Sequence, residues 1–239
     1  MSAAPDMLRI EALDAWYARA QVLFGVDLAL KRGEVLAMIG RNGAGKSTLM
    51  KAVMGLATAK ARAITFDGVG IAGLPAHRIA RAGLGYVPEE RRIFTNLTVA
   101  ENLETGRRPA RPGVDAWTPA RIFELFPNLA GMQHRSAREM SGGEQQMLAV
   151  ARTLMGNPKA LLLDEPSEGL APVIVDAMAD AVMALKREGL SIVLSEQNLR
   201  FAGLVCDAAV VLSSGSLTYA GPLRPLLDDH DLLEDKLGL

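Results

Sequence analysis

Apolar runs that stop at glycine or at charged residues recur along the chain. Three of them have the length of buried strands, namely Glu34 to Ile39, Ala160 to Leu163 and Ser191 to Ser195. Between the last two, apolar residues at helical spacing run from Pro172 to Glu188, and Gly189 ends that predicted helix. Buried strands that alternate with helices predict an α/β fold.

The strand patterns at the two ends of the chain differ from these buried strands. They are shorter, half-apolar runs separated by turn residues. Near the N-terminus, Leu8 to Tyr17, Val22 to Leu30 and Ala63 to Phe66 predict strands of an antiparallel sheet. Near the C-terminus, residues 208–219 predict a hairpin. The acidic tail after it predicts one short amphipathic helix.

The stretch from about residue 96 to residue 149 shows helical patterns and no strand pattern. Thr98 and Glu101 form a capping box, and Thr118 stands at a further helix start. A loop rich in proline and arginine is expected from Arg107 to Gly113. The predicted division is a core of residues 1–89 and 156–239 with a helical subdomain of residues 90–155.

Composition excludes several classes of function. The 26 basic and 27 acidic residues leave a net charge of −1, so no electrostatic case exists for a nucleic-acid partner. Apolar stretches fall short of a membrane span, and the start of the chain does not resemble a secretory signal. The lone Cys206 fits a reducing compartment, and His77, His134 and His230 lack metal-ligand spacing.

One glycine-rich stretch, GRNGAGKST from Gly40 to Thr48, joins the predicted strand Glu34 to Ile39 to a run of helix-forming residues. Glycine permits backbone angles closed to other residues, so several N–H groups can converge on a phosphate. The helix start adds unpaired amides and the positive end of a dipole. Lys46 offers a charge to the β and γ phosphates, and the Ser47 hydroxyl is the expected Mg²⁺ ligand. This order favours a nucleotide site over a βα turn that binds nothing.

Two further segments carry groups that suit phosphate chemistry. Ser141-Gly142-Gly143 opens a predicted helix, which fits an ordinary N-cap or a second anion site. Asp164 and Glu165 follow a buried strand. There Asp164 can hold Mg²⁺ through water, while Glu165 can face the γ-phosphate and accept a proton from the attacking water.

Two other features each have two interpretations. Tyr17 lies at a predicted strand end, where an aromatic ring either stacks on a purine or packs half-buried. The charged residues Glu89 to Arg92 follow the strand that ends at Val87. They form either a solvated loop or part of a site, since ligands bind at the strand ends of α/β sheets.

Taken together, eight motifs occur in one order along nearly the whole chain: WYARAQVL, RNGAGKST, VPEERRIF, LTVAENL, ELFP, MSGGEQQMLAVAR, LLLDEPSEGLAP and SEQN. They resemble the ATP-binding-cassette subunit of a membrane transporter. More narrowly, they resemble the LivF-type ATPase of branched-chain amino acid importers and its relatives for urea and amides. This resemblance implies a P-loop NTPase core of the RecA-like type, an antiparallel β subdomain and an inserted helical subdomain. It also implies ATP hydrolysis that drives solute import.

The resemblance also implies a role for each matching residue. ATP would be bound by Tyr17, Gly40, Asn42, Gly43, Ala44, Gly45, Lys46, Ser47 and Thr48, with Ser141, Gly142, Gly143 and Glu144 contributing to the ATP of the opposing subunit. Mg²⁺ would be held by Ser47, Glu89 and Asp164. Glu165 would be the base, with Gln197 and Glu89 beside it.

The implied partners follow from the family's architecture, in which two cassettes sandwich two ATP molecules. A second ATPase subunit of the LivG type is favoured over a second copy of this chain. Two transmembrane permeases, and indirectly a periplasmic solute-binding protein, complete the assembly on the cytoplasmic face of the membrane. Arg91, Arg92 and Phe94 are the candidates for docking to the permeases.

The sequence departs from the family's usual pattern at two positions. Most members of the family carry glutamine at the position of Glu89 and histidine at the position of Gln197. Gln197 can donate a hydrogen bond to the γ-phosphate but carries no charge, which keeps open a catalytically weak, nucleotide-gated subunit. A soluble cassette that acts on DNA or ribosomes is disfavoured, because 239 residues with a charge of −1 provide no coiled-coil insertion and no basic surface.

Overall fold

A computed structural model of the chain describes residues 6–111 and 115–238. Its strands are β1 (Leu8–Tyr17), β2 (Ala20–Leu30), β3 (Val35–Ile39), β4 (Thr58–Lys60), β5 (Ala63–Phe66), β6 (Val69–Gly70), β7 (Leu84–Val87), β8 (Ala160–Asp164), β9 (Ser191–Glu196), β10 (Ala208–Ser213) and β11 (Ser216–Pro222). Its helices are α1 (Lys46–Val53), α2 (Ala76–Ala82), α3 (Val99–Gly106), α4 (Pro119–Leu125), α5 (Pro127–Ala130), α6 (Gly142–Leu154), α7 (Pro172–Arg187), α8 (Leu199–Val205), α9 (Leu223–Asp228) and α10 (His230–Leu237). The strands form two sheets.

The larger sheet has the order β11-β10-β3-β9-β8-β7, and its strands from β10 to β7 are parallel. The edge strand β11 runs antiparallel to β10. Both faces of the parallel strands are buried, as expected for this type of sheet. Leu161 and Leu163 of β8 pack with α6 and α7, whereas Leu162 packs with α1 and the smaller sheet. The carboxyl ends of β3, β8 and β9 therefore meet at one edge.

The smaller sheet has the order β2-β1-β5-β6, with β4 paired to β1, and all its strand pairs are antiparallel. Its apolar face, which includes Leu8, Ile10 and Leu13 of β1, packs on α1. The pairing with β2 shifts register after Ile10, where Ala12 has a φ of +49°. Such a bulge bends the strand. The predicted antiparallel sheet is confirmed, although β4 and β6 are too short to show in the sequence pattern.

Helices α3 to α6 lie between β7 and β8 and bury one another's apolar faces. The predicted capping box of α3 is present, because Glu101 Oε2 accepts a hydrogen bond from Thr98 N at 2.8 Å. None of the helices in residues 6–111 and 115–238 combines the length and apolar character that a membrane crossing needs. The division of the chain at residues 90–155 stays a prediction, and Pro112-Gly113 of the expected loop lie outside the described residues.

The C-terminal region differs from its sequence prediction in two places, at α8 and in the tail. The pattern does not predict α8, because a helix of seven residues is too short to show a period. The tail forms α9 and α10 rather than one helix. Asp229 separates them, since its side chain accepts a hydrogen bond from Leu232 N at 3.0 Å and caps α10. Both helices pack on the sheet beside β10.

Candidate nucleotide-binding site

The glycine loop connects the carboxyl end of β3 to the start of α1. Gly45 has a φ of +108°, and a Cβ there would lie 2.6 Å from Leu23 Cδ2. At Gly40, a Cβ would lie 2.5 Å from the carbonyl oxygen of Leu212. Gly43 has a φ of +81° and faces open space. Packing and backbone conformation therefore both require glycine in this loop.

Lys46, the first residue of α1, is buried with 4% exposure. Its Nζ donates a hydrogen bond to the carbonyl oxygen of Gly40 at 2.7 Å and lies 3.0 Å from Glu165 Oε1. Each of the two buried charges thus neutralises the other. The remaining loop residues differ in exposure: Ala44 is buried, Ser47 and Thr48 are half-buried, and Asn42 is exposed.

Asp164 ends β8 and is held by three hydroxyl groups. Its Oδ1 accepts hydrogen bonds from Ser47 Oγ at 3.0 Å and from Ser195 Oγ at 2.7 Å. Its Oδ2 accepts one from the Tyr86 hydroxyl at 3.2 Å. Burial, and then the Asp164 carboxylate, raise the pKa of Tyr86, so this hydroxyl keeps its proton and stays a donor. The carboxylate is therefore oriented toward the start of α1.

Glu165 follows Asp164 with a φ of +47°, so the two adjacent carboxylates turn to different partners. Burial alone would raise the pKa of Glu165, but hydrogen bonds with Glu168 and Lys46, together with the Lys46 charge, outweigh it and hold this pKa below its ordinary value. The shared hydrogen bond raises the pKa of Glu168 to about 7. Glu165 is consequently ionised at neutral pH.

Gln197 lies between the glycine loop and Glu165. Its Nε2 donates hydrogen bonds to Glu165 Oε2 at 2.9 Å and to Asn42 Oδ1 at 2.6 Å. It comes directly after β9. In that strand, the carbonyl oxygen of Ser195 accepts a hydrogen bond from Glu165 N at 3.1 Å. The structure thus brings together three residues that the sequence singled out, from three separate segments.

The segment Ser141 to Glu144 lies at the start of α6. Ser141 Oγ accepts from Glu144 N at 3.3 Å, and Glu144 Oε2 accepts from Ser141 N at 2.7 Å, which completes a capping box. A Cβ on Gly143 would lie 2.7 Å from Ile174 Cγ2. In the described part of the chain, no hydrogen bond or ion pair joins this segment to the glycine loop. Within one chain, then, the segment acts as an N-cap.

Tyr17 and Glu89 also stand apart from the buried cluster. Tyr17, at the end of β1, is 79% exposed. Glu89 is exposed in the loop after β7. For residues 6–111 and 115–238, neither side chain forms a hydrogen bond or ion pair with the glycine loop.

The oxygen atoms of Asp164 and Ser47 are suitable ligands for a Mg²⁺ ion that also binds phosphate oxygens. Across the described residues, no group of three or more His, Cys, Asp or Glu side chains is arranged to hold a metal ion. Mg²⁺ needs no such group, because it is commonly bound by one or two carboxylates plus substrate phosphates. Asp164 and the Ser47 hydroxyl, 3.0 Å apart, supply suitable oxygen ligands.

Sequence reasoning missed two residues of this site, Ser195 and Tyr86. Ser195 is the partner of Asp164 in the register of β8 and β9, so knowledge of the strand order would have identified it. Tyr86 comes from β7, on the other side of β8. Nothing in its local sequence indicates that its hydroxyl donates a hydrogen bond to Asp164.

A glycine loop with a buried lysine, set against two carboxylates at the carboxyl edge of a parallel sheet, defines a P-loop NTPase. The model of the family described as ABC transporter matches residues 23–168, and the chain belongs to this family. It is an ATP-binding cassette, the nucleotide-binding ATPase unit that works with transmembrane permeases in such transporters.

Three curated relatives are similar over almost their whole length. The high-affinity branched-chain amino acid transport ATP-binding protein BraG of Pseudomonas aeruginosa is 40% identical, over 97% of this chain and 100% of the relative. The probable branched-chain amino acid transport ATP-binding protein LivF of Archaeoglobus fulgidus is 36% identical, over 95% and 97%. The lipopolysaccharide export system ATP-binding protein LptB of Haemophilus influenzae is 32% identical, over 98% of each chain.

Solved structures confirm the predicted fold class. A nucleotide-free ATP-binding cassette from an ABC transporter superposes with a TM-score of 0.81 at 26% identity, over 96% of this chain and 98% of that one. An ATP-binding cassette in its ADP conformation superposes with a TM-score of 0.81 at 25% identity, over 99% and 100%.

Proposed function

We propose that this chain hydrolyses ATP to power the import of branched-chain amino acids. The observation that carries the chemistry is the convergence of Lys46, Asp164 and Glu165 at one edge of the sheet. The solute is proposed because the BraG and LivF relatives are named as branched-chain amino acid transport proteins. Those relatives are 40% and 36% identical, above the 32% of the export protein LptB.

The phosphate loop, Gly40 to Thr48, would bind the triphosphate through its backbone amides and the start of α1. Lys46 would exchange its ion pair with Glu165 for contacts with the β and γ phosphates. Tyr17 is exposed enough to stack on the adenine ring. Asn42, next to Gln197, would lie beside the γ-phosphate.

Mg²⁺ would be held by Ser47 and Asp164, with Glu89 as a third, exposed candidate. When bound, the ion neutralises charge on the phosphate oxygens. Ser195 and Tyr86 orient the Asp164 carboxylate through the hydrogen bonds at 2.7 Å and 3.2 Å. They act as positioning residues in this proposal.

Glu165 would be the general base that accepts a proton from the attacking water. Its lowered pKa keeps it ionised at neutral pH, and phosphate binding to Lys46 would free its Oε1. Gln197 donates to the other oxygen, Oε2, and so holds the carboxylate in place. This contact also supports the second candidate, a weakly active subunit, because a neutral amide stands where a cation would assist the γ-phosphate.

A pair of cassettes would complete each nucleotide site. The start of α6, with Ser141 exposed and Gly142 to Glu144 half-buried, forms no hydrogen bond or ion pair with the phosphate loop of its own chain within the described residues, which favours a role across an interface. We favour a LivG-like subunit as the second cassette, with a second copy of this chain as the alternative.

The permeases would dock at a groove of about 930 Å³ on the surface of this chain. In this arrangement the chain lies on the cytoplasmic face of the membrane. Of the three docking candidates, Phe94 lines this groove and is 52% exposed, whereas Arg91 and Arg92 lie outside it. A periplasmic solute-binding protein would deliver the solute to the permeases from the other side.

Reconstitution tests the proposal. The chain would be purified with the permeases and second cassette encoded beside it, placed in proteoliposomes, and assayed for ATP hydrolysis and uptake of labelled leucine. Leucine uptake that needs ATP and is lost in Glu165→Gln would support it. Uptake of urea or an amide in place of leucine would reject the proposed solute, and absence of Mg-ATP binding would reject the function.

A further inference from the structure

Glu196 ends β9 at the edge of the site, although no step of the proposed hydrolysis uses it. It is only 2% exposed. Its Oε1 accepts a hydrogen bond from Ser167 N at 3.0 Å, and its Oε2 accepts one from Asn198 N at 3.2 Å. Ser167 follows the proposed base Glu165 by two residues, and Asn198 directly follows Gln197. One carboxylate therefore joins the two segments that carry Glu165 and Gln197.

This carboxylate continues the connection between β8 and β9 beyond their last paired residues. The pairing ends at Asp164 and Ser195. Glu165 then turns the chain away with a φ of +47°. In the described part of the chain, the hydrogen bond from Ser167 N is the only one that joins residues 166–170 to another strand. The path of the chain after the base thus depends on the carboxylate at the end of β9.

Stability alone does not explain a carboxylate at this position. Among the described residues no cation pairs with Glu196, so its buried charge is stabilised by hydrogen bonds alone. Burial raises the pKa of Glu196, and hydrogen bonds from Ser167, Asn198 and Gln197 oppose that rise only in part. A buried charge without a counter-ion is unfavourable, and well-packed apolar residues are often at least as stable. What the carboxylate adds is a fixed connection between the two segments.

The relative position of these segments decides how the proposed base is oriented. Gln197 Nε2 donates to Glu165 Oε2 at 2.9 Å, so a shift of either backbone changes this contact. The geometry of reacting groups is demanding, because a displacement of about 1 Å can lower a rate by about 100-fold. A group that holds both backbones therefore affects catalysis without touching the nucleotide.

We propose that Glu196 is a positioning residue for ATP hydrolysis, which aligns Glu165 and Gln197 through its two backbone contacts. This role rests on the proposed assignment of Glu165 as the general base. In the described part of the chain, the Glu196 side chain forms no hydrogen bond or ion pair with the phosphate loop, Gly40 to Thr48. Glu196 therefore acts on the rate of hydrolysis and not on the binding of ATP.

Single-turnover hydrolysis by the complex reconstituted with the permeases and second cassette tests this role. The measurement uses saturating Mg-ATP, and the part of the rate that Glu165→Gln removes is assigned to the site of this chain. Glu196→Gln has nearly the same shape but only one acceptor oxygen, so it loses one of the two contacts. It should lower the assigned rate on the order of tenfold. Glu196→Met loses both contacts and should lower that rate further.

Asp207→Asn is the matched control. Asp207 Oδ2 also accepts a hydrogen bond from a backbone amide, Val35 N at 3.0 Å, but at the opposite, amino end of the parallel strands. This variant should leave the hydrolysis rate unchanged. A loss equal to that of Glu196→Gln would show that any such contact supports the sheet, and it would overturn the specific role of Glu196.

A double-mutant cycle separates positioning from a general structural role. The affinity of the single chain for a fluorescent ATP analogue should be the same with and without Glu196→Gln. Added to Glu165→Gln, it should cause no further loss of rate, because the group that Glu196 positions is gone.

Three results would overturn this role while leaving the base assignment intact: an unchanged rate in Glu196→Gln, weaker ATP binding, or an equal fractional loss with and without Glu165→Gln. A different result would reject the base assignment itself. If Glu165→Gln alone removes none of the rate, Glu165 is not the base, and the role of Glu196 fails with it.

Discussion

The buried pair of Lys46 and Glu165 leads to a prediction about the stability of the nucleotide-free chain. Lys46→Met removes the charge and keeps most of the side-chain volume. It leaves the Glu165 carboxylate, in a residue only 8% exposed, without its cation. Removing one partner of a buried ion pair costs about 3–5 kcal/mol. Because Gln197 still donates to Glu165, we expect the free energy of unfolding at pH 7 to fall by about 3 kcal/mol, at the lower end of that range.

The loss should depend on pH in a defined direction. In the parent chain the lowered pKa of Glu165 stabilises the folded state above the ordinary pKa of a glutamate, about 4.3, and this contribution is lost as the pH falls. In Lys46→Met, burial dominates and raises the pKa of Glu165, so the folded state is penalised at neutral pH and relieved in acid. The difference between the two chains should therefore be smaller at pH 5 than at pH 7.

Urea unfolding followed by circular dichroism at pH 7 and pH 5 measures this difference. A double-mutant cycle with Glu165→Gln provides the control, since Lys46→Met should cost much less once the carboxylate is gone. An equal loss at both pH values, with strictly additive single variants, would refute a buried interaction between these two charges.

Three further predictions concern the residues around Glu165. Glu165→Gln should still bind ATP but hydrolyse it about 10²–10⁴-fold more slowly in single-turnover assays, as expected for loss of a general base; rapid turnover would reject that role. Gln197→His should raise the hydrolysis rate on the order of tenfold if the missing positive charge limits catalysis, and an unchanged rate would show that it does not. The pKa of Glu168, raised to about 7, should make the folded chain less stable as the pH rises from about 4.5 to about 7, because in that window the folded state still binds a proton that the unfolded state has lost. Glu168→Gln should remove that slope in urea unfolding, and an unaltered slope would contradict the raised pKa.

Local chemistry explains why the centre of the site could be predicted from the sequence. A phosphate loop needs glycine at fixed positions, and the structure shows the steric reason at Gly40 and Gly45. The capping boxes at Thr98 and Ser141 involve residues three apart, so they too are visible in the sequence. Asp164 was recognisable because a buried strand ends there.

Contacts between distant segments could not be predicted in the same way. The Tyr86 hydroxyl reaches Asp164 only because β7 pairs with β8, and the sequence does not state that order. Ser167 and Glu196 are 29 positions apart, and their hydrogen bond depends on the pairing of β8 with β9. The helix α8 is missed for a different reason, since it is too short to establish a period.

The cap on α6 has one more consequence, which concerns reversibility. Ser141 uses a lone pair of its hydroxyl oxygen to accept from Glu144 N, and a hydroxyl still has a proton to donate. The same atom can therefore hold the helix together and reach outward to a phosphate oxygen. An aspartate could perform the first task but would repel the phosphate. With serine, the start of α6 is already capped in the nucleotide-free chain, so the proposed contact with a phosphate would not require a turn of helix to melt or refold.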